Sequence, residues 1–130
     1  MGLPPPRSPR IVLGVSGGIA AYKAAEVLRR LTERGAEARV AMTRGAREFV
    51  APLTFATLSG REVFLEVFGA GSGPSVEHVE LAGWADLLLV APATAHTMAK
   101  FANGLADDFL STYFLCHRGP VLLAPAMETA

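Results

Sequence analysis

The run "IVLGVS" leads into "GGIAAYKAA", so Ser16, Gly17, Gly18 and Ile19 fall where a strand would turn into a helix. Main-chain N–H groups at such a turn have no partner inside the helix, and the helix dipole adds positive potential there. Gly17, Gly18 and Ile19 would supply these amides and Ser16 a hydroxyl, a set that suits a phosphate or another anion. The same turn could instead serve only to let strand and helix pack closely, and the pattern leaves both open. The spacing is not G-x-G-x-x-G, and no P-loop lysine follows, so neither a dinucleotide nor a nucleoside triphosphate is the expected ligand. "GVSGG" does match the G-x-S-x-G of a hydrolase nucleophile elbow. That chemistry needs an Asp and a His later on a longer sheet, and Tyr22-Lys23 follows the turn here, so a serine nucleophile is rejected.

Three further stretches carry groups that could do chemistry. "MTRGAREF" places Thr43, Arg44 and Gly45 at the end of a second strand. A hydroxyl and a guanidinium there would suit phosphate oxygens, or they are an N-capping Thr and a solvated Arg. "APATAHTM" leaves a third strand through small side chains that would let a flat ring approach the backbone. It reads equally well as a tight turn before a helix capped by Thr94 or Thr97. In "SVEHVELAGWAD", helical spacing puts His78 on one face with Leu81, Ala82 and Ala85. A histidine in that position is either an acid–base group or a satisfied structural residue. The three His and the single Cys have no metal-ligand spacing, so no metal is expected.

These residues need a scaffold, and the chain alternates accordingly. Strands are expected at "RIVLGVS", "AEARVAMT", "DLLLVAPA" and "PVLLAPAM". Helices are expected from Ala20 to Arg34 with Gly35 after the end, at "VEHVELAGWA" with Ser75 as N-cap, and as one or two pieces broken near Asn103-Gly104. Short helical pieces should break at Pro52 and stop at Gly60, and "REVFLEVF" is a short strand or an extended loop. The strands are too apolar to face water. The fold class is therefore α/β: a doubly wound, Rossmann-like or flavodoxin-like, mostly parallel sheet with helices on both faces.

With 130 residues the chain is expected to form one domain, residues 10–130, behind a disordered Pro-rich lead-in, residues 1–9. Hydrophobic residues make up 51% and charged ones 18%, which supports a packed core and argues against disorder. Twelve Lys and Arg balance 12 Asp and Glu, so nothing electrostatic favours nucleic acid or an anionic membrane. No apolar run approaches the ~18 residues of a membrane span. One cysteine, Cys116, excludes internal disulfides and suits a reducing cytoplasm.

Taken together and in order, "GVSGGIAAYKA", "MTRGAREFV", "HVELAGWADLLLVAPATAHTMAKFANGLADD" and "LLAPAM" resemble the homo-oligomeric flavin-containing cysteine decarboxylases. Within that family they are similar to the branch that decarboxylates 4′-phosphopantothenoylcysteine, a small-molecule substrate, in coenzyme A biosynthesis. The resemblance covers residues 10 to 127 and implies FMN as cofactor. By matching positions, Gly17, Gly18 and Ile19, with Ser16, would hold the phosphate and ribityl end, and Thr43, Arg44 and Gly45 would add contacts. Ala95, His96, Thr97 and Met98 would line the flavin, Ala126 would approach it, and Phe49 would neighbour it. His78 matches the family's active-site base. The family's chemistry has FMN take two electrons from the cysteine C–S unit, giving a thioaldehyde that accepts the electrons of the departing CO₂. The resemblance also implies a homotrimer or homododecamer with FMN at the subunit interface. It leaves open related flavoproteins, of peptidyl-cysteine decarboxylase or flavin prenyltransferase type, and a non-catalytic flavin-binding subunit.

The sequence departs from the family in two places. Glu128 stands where the family has an Asn near the substrate carboxylate. Two like charges ~4 Å apart at an effective dielectric of ~20 repel by about 4 kcal/mol, so either Glu128 is protonated, or it points away, or the chain does not bind that carboxylate in the family manner. The family also has a later Cys-bearing segment over the substrate, and the chain is expected to stop before it.

Overall fold

The computed structural model describes residues 7–65 and 75–127. Four strands, β1 (Arg10–Val15), β2 (Glu37–Met42), β3 (Leu87–Ala93) and β4 (Val121–Pro125), form one parallel sheet in the order β2-β1-β3-β4. Five helices connect them: α1 (Ala21–Glu33), α2 (Pro52–Ser59), α3 (Val76–Trp84), α4 (Ala95–Asn103) and α5 (Phe109–Cys116).

The strand period of two decides which side chains meet which helices. Ile11, Leu13 and Val15 of β1, with Val40 and Met42 of β2, pack against α1 and α2 through Leu28 and Phe55. Val12 and the β3 residues Leu88 and Val90 face the opposite side, where Leu81 of α3, Phe101 of α4 and Leu110 and Tyr113 of α5 cover them. Both faces of the central strands are thus sealed, which is why their sequences are nearly continuous apolar runs. Gly14 sits in the middle of β1 because α5 comes too close for a side chain: a Cβ there would lie 2.7 Å from Leu110 Cδ1. Leu110 is fully buried and cannot swing into water. Gly14→Ala is expected to cost about 2 kcal/mol by overpacking, read as a lower urea midpoint with an unchanged slope.

The expected punctuation is found. Gly35 follows α1 with φ 92°, and Gly104 ends α4 with φ 66°, both left-handed conformations that only glycine adopts without strain. The break at Gly104 separates α4 from α5. Phe64 forms a single parallel bridge to Ala41, its N–H donating to the Val40 carbonyl at 2.8 Å, so part of "REVFLEVF" extends the sheet beside β2.

Two expectations need correction. Not every strand is shielded from water: in β4, Val121, Leu122 and Leu123 are 39%, 56% and 37% exposed. β4 is the edge strand, and among the described residues no helix lies over it. Within the expected lead-in, residues 7–9 are described and make contacts with the domain. Arg7 pairs with the Asp86 carboxylate through two nitrogens, at 2.8 and 2.7 Å, and the Pro9 carbonyl accepts the Glu37 N–H at 2.8 Å. The Arg7 guanidinium holds the Asp86 carboxyl down at about 2. Residues 1–6 lie outside the described residues, as does most of the expected glycine-rich loop at residues 69–75.

From β1 the chain winds outward to β2, and from β3 it winds the other way to β4. The carboxyl ends of β1 and β3 therefore lie side by side where the winding reverses, which is where open α/β sheets leave a crevice.

Candidate functional site

A cavity of about 520 Å³ opens at that reversal, within the size range of small-molecule sites. Gly17 and Gly18 line it from the β1–α1 turn, and Thr43, Arg44, Gly45, Glu48 and Phe49 from the segment after β2. Thr94, His96, Thr97 and Lys100 line it from the start of α4, and Asp108 from the start of α5.

The walls are local consequences of the sequence. A short 3-10 turn, Ala46–Glu48, follows β2 and is held by the Ala46 N–H donating to Thr43 Oγ1 at 3.2 Å. Thr94 caps α4, its hydroxyl accepting the Thr97 N–H at 3.2 Å. The β1–α1 turn has no side-chain cap, and among the described residues the N–H groups of Gly17, Gly18 and Ile19 donate to no backbone acceptor. The N-termini of α1 and α4 thus converge on one cavity, each with positive partial charge, and the short turn after β2 lies beside them. The turns can converge only because the two loops touch at glycines. A Cβ on Gly17 would lie 2.9 Å from both Gly45 Cα and the Gly45 carbonyl carbon. This cradle of amides, a hydroxyl and a guanidinium fits a phosphate, and the half-exposed Phe49 ring, on the same cavity wall set, fits an aromatic system.

Ser16 does not line the cavity. It is fully buried, its hydroxyl donating to the Pro92 carbonyl and accepting the Thr94 N–H at 3.0 Å. Its O–H and one of its lone pairs stitch the end of β1 to the end of β3, so Ser16 shapes the site from behind the cavity wall. Ile19 is 72% exposed beside the cavity, not inside it. Ala95 and Met98 do not line it either; Met98 packs against the core under α4. Ala126 donates its N–H to the Ala93 carbonyl at 3.2 Å, continuing the β3–β4 pairing. Glu128 lies outside the described residues.

Lys100 and Asp108 line the cavity but are absent from the expected set. The Lys100 ammonium reaches the Asp108 carboxylate at 3.1 Å and Asp107 at 2.8 Å. Asp108 also caps α5, accepting the Ser111 N–H at 2.7 Å. Their signal was present as an Asp three residues before Ser111, a capping box at the start of an apolar helix. Burial pushes the Asp108 carboxyl up, but the Ser111 hydroxyl and N–H and the Lys100 ammonium outweigh it and hold the group below the ordinary carboxylate value. A carboxyl lowered in the folded state stabilises it fully above the unfolded value of about 3.9, and the gain fades as pH falls through the folded value. Asp108→Ala removes a cap and leaves Lys100 with the exposed Asp107 alone. A loss of about 2–3 kcal/mol at pH 7 is expected, shrinking below about pH 4, from urea unfolding of both proteins across that range.

His78 stands apart from the cavity lining. Its helical face is as expected: His78 and Leu81 are buried, with Ala82 packed against the same core. The ring stacks on Phe109 with centroids 4.2 Å apart, Phe109 stacks on Phe64 at 4.7 Å, and the Arg39 guanidinium lies 4.6 Å over Phe64. His78 Nδ1 accepts the Ser75 main-chain N–H at 3.0 Å, and the Ser75 hydroxyl lies 2.8 Å from the same nitrogen. Nε2 is buried with no hydrogen-bond partner among the described residues. Burial lowers the His78 pKa, opposed by Glu77 and, more weakly, by the Phe109 backbone, which is outside hydrogen-bond geometry. Asp108, at the cavity wall, immediately precedes the Phe109 that carries the His78 ring.

The family model described as Flavoprotein matches residues 5–130. The chain is 52% identical over 119 residues to the coenzyme A biosynthesis bifunctional protein CoaBC of Vibrio cholerae, covering 92% of this chain and 30% of that protein. It is 48% identical over 119 residues to CoaBC of Escherichia coli, covering 92% of this chain and 29% of that one. The chain therefore spans about a third of the length of these curated relatives. Among solved structures, a PPC decarboxylase mutant complexed with pantothenoylaminoethenethiol superposes with a TM-score of 0.79 at 32% identity, over 95% of this chain and 69% of that one. The FMN-binding protein AtHal3 gives 0.80 at 33%, over 95% and 68%.

Proposed function

The chain belongs to the flavoprotein family, and from that premise we propose that it binds FMN and decarboxylates 4′-phosphopantothenoylcysteine to 4′-phosphopantetheine as a carboxy-lyase of coenzyme A biosynthesis. The observation that carries the reading is the uncapped glycine turn before α1, which meets the segment after β2 and the start of α4 around one cavity at the sheet's reversal point. Gly17 and Gly18 hold the FMN phosphate through main-chain N–H groups, with Thr43, Arg44 and Gly45 beside them. Phe49, His96 and Thr97 lie toward the flavin ring, with Ile19, Ala95, Met98 and Ala126 as flanking contacts. Bound FMN supplies two-electron acceptance for the cysteine C–S unit. The protein's own residues bind and orient it, and His78 acts on the substrate.

Support for self-association comes from the apolar rim. Ile19, Tyr22, Phe49 and Leu53 are 72%, 59%, 49% and 74% exposed, and a second copy would cover them. The proposed assembly is a homotrimer or a dodecamer with FMN at the subunit interface, and light scattering of the purified protein reads its mass. Among the described residues no helix is long and apolar enough to cross a membrane, and a cytoplasmic location suits the lone free Cys116.

Two measurements on the purified protein test the function. The expected results are a yellow protein with flavin absorbance and CO₂ release from 4′-phosphopantothenoylcysteine. Protein that carries no FMN and takes none up at micromolar concentration would sink the cofactor assignment. FMN-loaded protein that releases no CO₂ would leave a flavin-binding protein without this activity.

A further inference from the structure

We propose that Lys100 tunes the reduction potential of the bound flavin: its ammonium, clamped by Asp107 and Asp108, turns its remaining N–H into the cavity and favours the reduced ring. The inference deepens the reading of this cavity as the FMN site and rests on it.

The clamp comes from the break between α4 and α5. Lys100 stands near the end of α4, Gly104 stops that helix, and Asp108 is the N-cap of α5. The ammonium reaches Asp107 Oδ1 at 2.8 Å and Asp108 Oδ2 at 3.1 Å. Asp108 is kept from turning away, because its Oδ1 accepts both the N–H and the hydroxyl of Ser111. Only 12% of the Lys100 side chain and 5% of the Asp108 side chain are exposed. Burial by itself lowers the Lys100 pKa, but the hydrogen bonds to the two carboxylates outweigh it and hold the group above its ordinary value. Lys100 therefore stays charged and acts as a fixed donor, not as an acid or base.

An ammonium has three N–H bonds, and these two contacts use two of them. Lys100 also lines the cavity, on the face of α4 that carries His96 and Thr97. A ligand that fills the cavity strips water from this wall, and a desolvated N–H needs an acceptor. Charge decides which acceptor it takes. Asp108 neutralises the ammonium, and Asp107 adds an acid that is 55% exposed and screened by water. The cluster thus has no surplus positive charge to draw a phosphate, which the unpaired amides of the Gly17–Gly18 turn suit better. What remains at short range is an N–H suited to an acceptor on the flavin ring. Such a donor binds the ring more tightly once two electrons have added negative charge to its acceptors, and that difference in affinity is a rise in potential. Asp107 and Asp108 are positioning residues for Lys100.

Potentiometric titration of the FMN-loaded protein against a dye of known potential reads the effect. Lys100→Met removes the donor and uncovers the Asp108 carboxylate, so the two-electron equilibrium should shift toward the oxidised flavin at least tenfold, about 30 mV. Lys100→Arg keeps the charge and should stay within about threefold of wild type. Asp108→Asn keeps a cap for α5 but releases the ammonium, and should move the equilibrium the other way by at least threefold, about 14 mV. This second variant tests the proposal even if Lys100→Met fails to fold. A potential unchanged in either variant, with only stability lost, makes the cluster a structural clamp and overturns the proposal. Equal weakening of oxidised and reduced FMN in Lys100→Met puts the ammonium on the phosphate and overturns it too. Wild-type protein that takes up no FMN removes the cofactor reading itself, and the proposal with it, so the two failures are distinguishable.

Discussion

His78→Asn is expected to lower CO₂ release from 4′-phosphopantothenoylcysteine by about 10²- to 10⁴-fold, the range for losing a positioned proton-handling group. FMN content should stay at the wild-type level, because His78 is not among the residues lining the cavity. The loss should fall on kcat more than on KM, since the removed interaction serves the reacting group and not the rest of the substrate. Stability carries an independent signature. Burial holds the His78 pKa below its ordinary value, so the unfolded chain binds a proton more readily than the folded one. The contribution of His78 is therefore complete above the unfolded value of about 6.5 and declines as pH falls below it. Removing the imidazole should flatten that decline, read as a smaller difference in urea midpoint between pH 7 and pH 5.5 for the variant. An enzyme that keeps near-full turnover without His78 would place the reacting group elsewhere.

Gly17→Ala should weaken FMN binding at least 100-fold, or about 2.7 kcal/mol. The added Cβ would sit 2.9 Å from two backbone atoms of Gly45, and no flexible side chain is there to yield. The β1–α1 turn and the segment after β2 would have to separate, and these are the two walls that aim main-chain N–H groups into the cavity. Gly18→Ala is the matched control. Its Cβ would meet Thr94 Cγ2 at 3.6 Å, an ordinary contact, so binding should change little. Quenching of FMN fluorescence on titration measures both. Full FMN affinity in Gly17→Ala would mean that the phosphate is not held by this turn.

Local pattern carried much of the fold. Continuous apolar runs marked β1 and β3 as strands covered on both sides, and Gly35 and Gly104 marked helix ends because only glycine takes those backbone angles cheaply. The positions of Thr43, Arg44 and Gly45 at the sheet edge followed from strand ends alone. β4 was legible as a strand but not as an exposed one, since its sequence is as apolar as that of β3. Whether an apolar strand is shielded depends on what lies over it, and that is set by strand order, which no single segment encodes.

Spacing within single segments was enough to read the alternation of elements, the glycine turn after β1, and the face of α3 that carries His78. What those residues touch became visible in the folded chain. Ser16 read as a ligand for phosphate, yet its hydroxyl is spent on Pro92 and Thr94, 76 and 78 residues away. Gly17 read as one amide among several, yet its missing side chain is what lets two loops meet at Gly45. His78 read as a lone histidine, yet its ring is held by Ser75 on its own helix cap and by Phe109 from another helix. The physical reason is common to all three. A residue's local conformation depends on its neighbours in the chain, whereas its hydrogen-bond partners, burial and packing depend on groups that only the folded sheet brings within reach.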